Sequence, residues 1–212
     1  MNNHIIVFDV ETTGLIPKGE PILELCPYIL QLSFIVYDVE TRKIVQKYNK
    51  YINVPDKVKI SPEIEKLTGI NHAKCKEGIV VVEALNELYE AYLKCSTIIA
   101  HNIDFDSKMI RIELARNPGR KTRHVGDLLN SGYEKEHNKL RYCTMSHSVN
   151  LCNILINAID KHGKTYQYKK FPKLSELHQK LFGIIPENLH DSMVDTEVCL
   201  KCYMKMVHNI VI

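Results

Sequence analysis

Residues 4–15 read HIIVFDVETTGL. The first part, residues 4–8, is apolar and β-branched, the composition of a strand buried on both faces. The run then passes into Asp9-Val10-Glu11. Side chains alternate along a strand, so Asp9 and Glu11 emerge on the same side. Neighbouring carboxylates repel each other and are costly to bury unpaired. The nearest basic residue in sequence, Lys18, is too far along the chain to be a local partner. A divalent cation is the simplest neutraliser, and paired oxygen ligands suit Mg²⁺ or Mn²⁺. The plainer alternative is a solvated acidic strand end. After the pair, Gly14 allows a sharp turn, which leaves the Thr12 and Thr13 hydroxyls and free backbone N–H groups to meet a substrate.

Working outward, residues 28–37 and 44–52 are two further strand-like runs, with residues 38–43 suited to a hairpin turn between them. The first three strands are therefore expected to be antiparallel. Ser61 followed by Pro62 is an N-cap with proline at the first helical position, and Gly69 ends that helix. Residues 78–94 carry Val82, Leu85, Leu88, Tyr89 and Tyr92 near helical spacing. A short buried strand at 97–100 follows, then a helix opening at Asp104 or Asp106. Residues 117–140 are polar and basic and read as an irregular insertion. Residues 141–145 read as a fifth strand, 174–182 as a helix capped by Gly183, and His190 onward as a final helix. The expected class is α/β: a mixed five-stranded sheet flanked by helices, forming one domain over residues 1–212.

Composition narrows the function classes. The chain has 212 residues, 45% hydrophobic and 25% charged, which is enough to bury a core and excludes wholesale disorder. It has no apolar run of about 18 residues and no signal-peptide pattern at its start, so an intracellular location away from membranes is expected. Seven cysteines, an odd number, fit reduced thiols. Cys199 and Cys202 form a CxxC, but no second pair completes a zinc site. No GxGxxG follows the first strand, which disfavours a dinucleotide-binding enzyme. The net charge of +3 is mild and by itself says little about nucleic acid.

Two more acidic elements accompany the first. Ala100-His101-Asn102-Ile103-Asp104-Phe105-Asp106 marks a strand end turning into a helix, a common place for a site in an open sheet. Leu189-His190-Asp191-Ser192-Met193-Val194-Asp195 places Asp191 and Asp195 on one helix face; His190, five before Asp195, matches that face poorly if helical and reaches the same site if it sits on the loop just ahead of the helix. Imidazole exchanges protons near neutral pH, which suits a general base. Each element also has a plain structural explanation: capping for Asp104 and Asp106, a loop role for His190, a core role for Phe105.

Together the motifs resemble the DEDDh branch of the DEDD-type 3′→5′ exonucleases, in the ribonuclease H-like superfamily, the branch that includes bacterial epsilon-type proofreading subunits. The resemblance rests on Phe8-Asp9-Val10-Glu11-Thr12-Thr13-Gly14-Leu15, on His101-Asn102-x-x-Phe105-Asp106 and on His190-x-x-x-x-Asp195, with support from Ile60-Ser61-Pro62-Glu63, Leu67-Thr68-Gly69-Ile70 and Leu174-x-x-Leu177-x-x-x-Leu181-Phe182-Gly183. It implies a ribonuclease H-like fold and a hydrolytic enzyme releasing nucleoside 5′-monophosphates. Asp9, Glu11, Asp106 and Asp195 would hold two Mg²⁺ (or Mn²⁺) ions, and His190 would take the proton of the attacking water. Thr12, Thr13, Gly14, Leu15, His101, Asn102 and Phe105 would surround the terminal nucleotide, with Asp104 and Asp191 outside the set. Many relatives have Asp-Thr-Leu where this chain has Cys143-Thr144-Met145, a position outside the carboxylate set. The expected partner is a single-stranded 3′ end, DNA ahead of RNA, with a DNA polymerase or a second copy of the chain alongside. The alternatives are an exoribonuclease and a non-catalytic nucleic-acid-binding or polymerase-accessory module. Two basic stretches suit single-strand binding or are solvated loops: 117–140, with Arg120, Lys121, Arg123, His124, Lys135 and Lys139, and 161–173, with five lysines interleaved with Tyr166, Tyr168 and Phe171.

Overall fold

Strand β1 (His4–Thr12) is the middle strand of a five-stranded sheet in this computed structural model, which describes residues 3–19, 22–118 and 125–212. On one side it pairs antiparallel with β2 (Ile29–Asp38), which pairs antiparallel with β3 (Lys43–Tyr51). On the other it pairs parallel with β4 (Thr97–Ala100), which pairs parallel with β5 (Leu140–Cys143). The strand order is β3-β2-β1-β4-β5, the mixed sheet that the sequence implies, with its first three strands antiparallel.

Alternation along β1 feeds two cores. Ile6, Phe8 and Val10 point to one face, where they pack with α3 (Val81–Leu93) and α4 (Ile103–Arg116). Ile5 and Val7 point to the other, under α8 (Leu174–Phe182) and α9 (Ser192–His208). Each such side chain contributes roughly 1.5–3 kcal/mol by leaving water, so the strand's position is fixed from both faces. The predicted capping of α1 (Pro62–Thr68) is present: Ser61 accepts from the Ile64 N–H, and Gly69 ends the helix in the left-handed region at φ 68°. A short α2 (His72–Lys76), capped by Asn71, follows.

Three element boundaries are corrected. Helix α4 starts at Ile103, not at Asp104 or Asp106, because Asn102 turns the chain at φ 75°, a conformation asparagine tolerates better than most residues. Strand β5 ends at Cys143, and Thr144, buried with its hydroxyl toward Ala100 O, opens α6 (Thr144–His147) ahead of α7 (Val149–Cys152). The final helix starts at Ser192, since the side chain of Asp191 takes the N-cap from the Met193 and Val194 N–H groups.

The described part of 117–140 is packed rather than irregular. Val125, Leu128 and Leu129 are buried in the first core, and Asn130 caps α5 (Ser131–Glu136). Lys139 serves as a fastener, donating to the carbonyls of Tyr92 and Cys95 at the end of α3. Arg120, Lys121, Arg123 and His124 lie outside the described residues. Residues 155–169 form a hairpin that the lysine-rich text conceals, β6 (Leu155–Ile159) with β7 (Thr165–Lys169). Among the described residues, no helix is long and apolar enough to cross a membrane.

Gly78 joins α2 to α3 and brings the next residue against the end of β3: Ile79 N donates to Tyr51 O at 3.0 Å, and Asn53 N to Ile79 O at 2.8 Å. A Cβ on Gly78 would overlap the backbone carbonyl of Tyr51. Gly78→Ala is expected to cost about 1–3 kcal/mol through this overpacking, read as a thermal midpoint lowered by several degrees. An unchanged midpoint would contradict the close approach.

Candidate active site

The parallel pairing of β1 with β4 covers only Ile5, Ile6 and Val7, because β4 stops at Ala100. Beyond Val7 the strand runs on past its neighbour, and Asp9 and Glu11 stand on this overhang. It lies at the carboxyl end of the strand, between an antiparallel and a parallel neighbour, where the chain connections diverge and leave a crevice. Asp106, in the first turn of α4, fills the open flank: its buried carboxylate is stabilised by the N–H of Val10 and by its own. Asp195, one turn into α9, arrives from the opposite layer.

The four carboxylates act on one another. Burial holds Asp9 well above the usual carboxylate range, and the charges of Asp106, Asp195 and Glu11 add to it. Glu11 is pushed up to about 8 by burial and then by Asp195 and Asp191. Asp106 is likewise raised well above its usual value, burial outweighing the two N–H groups. Asp195 is raised to about 6, with the His190 N–H pulling the other way.

His190 lies in the exposed loop before α9 at φ 73°, and its backbone N–H donates to Asp195 Oδ2 at 3.3 Å. Ligand atoms of Glu11, His190 and Asp195 all fall within 4.8 Å of one another. Asp195 Oδ1 is buried with no hydrogen-bond partner. An orphaned carboxylate oxygen, facing carboxylates that all resist ionisation, is the arrangement a hard divalent cation satisfies. The donor set fits Mg²⁺ or Mn²⁺.

A polar layer missed in the sequence aligns this site. Gln31 and Ser33 on β2 are fully buried and sit opposite Glu11 and Asp9 in the register. Gln31 Nε2 donates to Asp191 Oδ2 and to Asn49 Oδ1, and Gln31 Oε1 accepts from Ser192 N. The hydroxyls of Ser33 and Ser192 meet at 2.6 Å. These contacts fix the start of α9, and with it His190 and Asp195, against the strand that carries Asp9 and Glu11. Two polar residues at alternate positions within ILQLSFIVY were the available signal. Asp191, outside the set that the resemblance implies, belongs to this layer.

The residues expected around a terminal nucleotide divide in two. Thr12 Oγ1 donates to Gly14 O at 2.8 Å, and Thr13 Oγ1 accepts from Tyr28 N at 3.0 Å, so both hydroxyls shape the turn itself. Gly14 opens onto clear space, and Leu15 is 85% exposed beside it. Both line a cleft of about 450 Å³ with Tyr28, Lys57 and Lys59. Its wall is fastened by Arg116, which stacks 3.8 Å from the Tyr28 ring, donates to the carbonyls of Leu23, Cys26 and Pro27, and pairs with Glu113. His101 faces inward: Nε2 donates to Pro172 O, so Nδ1 accepts from Thr144 Oγ1, and burial lowers its pKa to about 4. Asn102 sets the start of α4, and Phe105 packs against the first core. Cys199 and Cys202 are free thiols on the buried face of α9.

Comparison with known proteins identifies the family and the fold. Residues 6–203 match the family model RNase_T, described as "Exonuclease". The chain is similar to DNA polymerase III PolC-type of Caldanaerobacter subterraneus subsp. tengcongensis, 30% identical over 111 residues, covering 52% of this chain and 7% of that protein. It is 26% identical over 205 residues to the PolC-type polymerase of Staphylococcus haemolyticus, covering 96% of this chain and 11% of that one. The chain thus spans about a tenth or less of the length of these relatives. Among solved structures, the nuclease domain of 3′hExo, a DEDDh family member, bound to rAMP, aligns with TM-score 0.64 and 16% identity over 98% of this chain and 93% of that one. E. coli Exonuclease I in complex with a 5cy-dT13 oligonucleotide aligns with TM-score 0.68 and 16% identity over 99% and 42%. These structures share the fold.

The raised carboxylates fix a sign. In the metal-free folded state Glu11 keeps its proton up to about 8, against an ordinary value of 4.5. The folded state therefore binds more protons than the unfolded chain between those values, and stability falls as pH rises through that window. The thermal midpoint of EDTA-treated protein is expected to decline from acid to mildly alkaline pH. Glu11→Gln is expected to flatten the decline, and Mg²⁺ to raise the midpoint most at the alkaline end. A flat profile would contradict the repulsion.

Proposed function

The chain belongs to the exonuclease family of the RNase_T model, and we propose that it is a metal-dependent 3′→5′ exonuclease, a phosphodiester hydrolase releasing nucleoside 5′-monophosphates from single-stranded or frayed DNA ends. The observation that carries this reading is the convergence of Asp9, Glu11, Asp106 and Asp195, with His190 over them, around an unsatisfied Asp195 oxygen. A binding module has no need of four mutually repelling acids, and their presence argues against the non-catalytic alternative.

Two Mg²⁺ or Mn²⁺ ions held by the four acids would offset phosphate charge and ready a water for in-line attack. Asp9, which feels the other three carboxylates, is the group placed to be shared. Asp195 divides its oxygens: Oδ2 holds the His190 backbone, and Oδ1 is left for the ion. His190, exposed on a loop anchored in this way, takes the proton from the attacking water. Leu15 packs on the terminal base, and the open backbone at Gly14 lets the sugar approach; Thr12, Thr13, His101, Asn102 and Phe105 support the pocket from behind. Residues 1–212 act as a single exonuclease domain in this reading.

DNA is favoured because the PolC-type relatives are DNA polymerases. The same relatives suggest work beside a polymerase at sites of replication, with a homodimer as the other assembly. RNA is the second reading, supported by the rAMP named for 3′hExo.

The test is a gel time course on single-stranded DNA and RNA oligonucleotides of matched sequence, labelled at the 5′ end, with Mg²⁺, Mn²⁺ or EDTA. A ladder shortening from the 3′ end with metal only is expected, faster on DNA. Faster loss of RNA would reassign the substrate, and no digestion of either would reject the enzyme. Asp9→Asn, Glu11→Gln, Asp106→Asn and Asp195→Asn should each lower kcat by roughly 10³-fold or more without loss of folding. His190→Gln should lower kcat by roughly 10²–10⁴-fold while leaving Mg²⁺-dependent thermal stabilisation largely in place.

A further inference from the structure

The β6–β7 hairpin stands outside both cores. Every residue of β7 is exposed, and β6 is exposed save for Ala158. A lone two-stranded hairpin is marginal in water, yet this one keeps apolar and aromatic side chains in solvent. The register pairs Ile156 with Tyr168 and Ala158 with Tyr166, which puts both tyrosines on one face. Their ring centres are 6.0 Å apart, and they are 48% and 45% exposed.

Charge is concentrated here too. Residues 153–173 hold five lysines against Asp160 alone, a net +4 in a chain whose total is +3, so everything else sums to −1. Asp160 is occupied in the turn, where its Oδ1 accepts from the N–H groups of His162 and Lys164. Lys169 and Lys170 are engaged at the base, with Asn150 and Glu176. Lys161 and Lys164 sit at the tip and form no salt bridge among the described residues.

The segment that follows the hairpin is tied to the turn ahead of α4. Pro172, just beyond β7, receives the His101 Nε2–H at 3.1 Å, and His101 immediately precedes Asn102 and the helix that carries Asp106.

We propose that the β6–β7 hairpin is a binding arm for the single-stranded nucleic acid lying upstream of the 3′ end, with Tyr166 and Tyr168 stacking on bases and Lys161 and Lys164 meeting phosphates. This rests on the exonuclease reading for the identity of the ligand. Stacking on exposed aromatic rings tolerates any sequence, which suits an enzyme that must pass every base, and lysines supply the salt-dependent attraction that a net-negative body lacks.

Two readouts keep the arm and the chemistry apart. Binding is measured in EDTA by fluorescence anisotropy, using oligothymidylates of about 5 and about 20 nucleotides, within and beyond the span of typical single-strand sites. Hydrolysis of a 5′-labelled dinucleotide is measured with Mg²⁺. The double variant Tyr166→Ala/Tyr168→Ala is expected to weaken binding of the longer strand by about tenfold or more, to remove most of the length dependence, and to leave dinucleotide hydrolysis unchanged. Lys161→Gln/Lys164→Gln is expected to lower the slope of log affinity against log salt by about 0.7 for each lysine. Both pairs are solvent-facing, and thermal melts verify folding. Equal binding by wild type and both variants, or no binding by wild type, would overturn the arm. So would a wild-type dimer that these variants convert to monomer without altering strand binding. Loss of the exonuclease reading would instead show as undigested oligonucleotides with Mg²⁺, whatever the binding comparison gives.

Discussion

Carboxylates brought within each other's field resist ionisation, and here the groups that draw them back are few. Backbone N–H groups of Val10 and Asp106 act on Asp106, and that of His190 acts on Asp195. Among the described residues, no lysine or arginine is among the influences on Asp9, Glu11, Asp106 or Asp195. Such a cluster would splay apart on a loose chain. It holds because Asp9 and Glu11 continue a strand whose preceding residues are buried on both faces, and because α4 and α9 are each anchored in a core of their own. The sheet order supplies the rest: a long β1 beside a short β4 leaves the overhang that Asp106 closes.

Charged pairs elsewhere are put to a different use. Glu113–Arg116 and Glu134–Arg141 both fasten short segments to the longer elements. Arg116 gathers the carbonyls of residues 23–27, and Arg141 reaches Leu129 O as well as both oxygens of Glu134. Guanidinium groups suit this work because their planar fork can satisfy several oxygens at once. Lys139 does the same for the end of α3. Of the basic residues at 117–140 that suggest a nucleic-acid surface in the sequence, Lys139 is internal hardware.

The parts of the site legible in the sequence were those governed by short-range rules. Strand alternation put Asp9 and Glu11 side by side, and the family resemblance of the motifs brought in Asp106, His190 and Asp195. The sheet followed from apolar runs and one tight turn, and α1 from its cap and its terminal glycine. What stayed hidden depended on partners far away in sequence. Gln31 and Ser33 look like polar interruptions of a strand until the register sets them beside Glu11 and Asp9 and across from Ser192. Asp191 looked dispensable because a cap and a hydrogen bond to Gln31 cannot be read from spacing. The β6–β7 hairpin was hidden because β7 is built from Thr, Tyr, Gln and Lys, and no core rewards it. The turn contacts of Thr12 and Thr13, to Gly14 O and from Tyr28 N, were equally hidden.

The four acids come from three separate layers: Asp9 and Glu11 from the sheet, Asp106 from the helix on one face, Asp195 from the helix on the other. A cation bound among them would act as a rivet through the whole thickness of the molecule. Loading the site would then join the two layers directly, because binding energy gained across layers is spent against opening them. The enzyme would be mechanically tightest while armed for hydrolysis and loosest when stripped of metal, which ties resistance to proteolysis to readiness for catalysis.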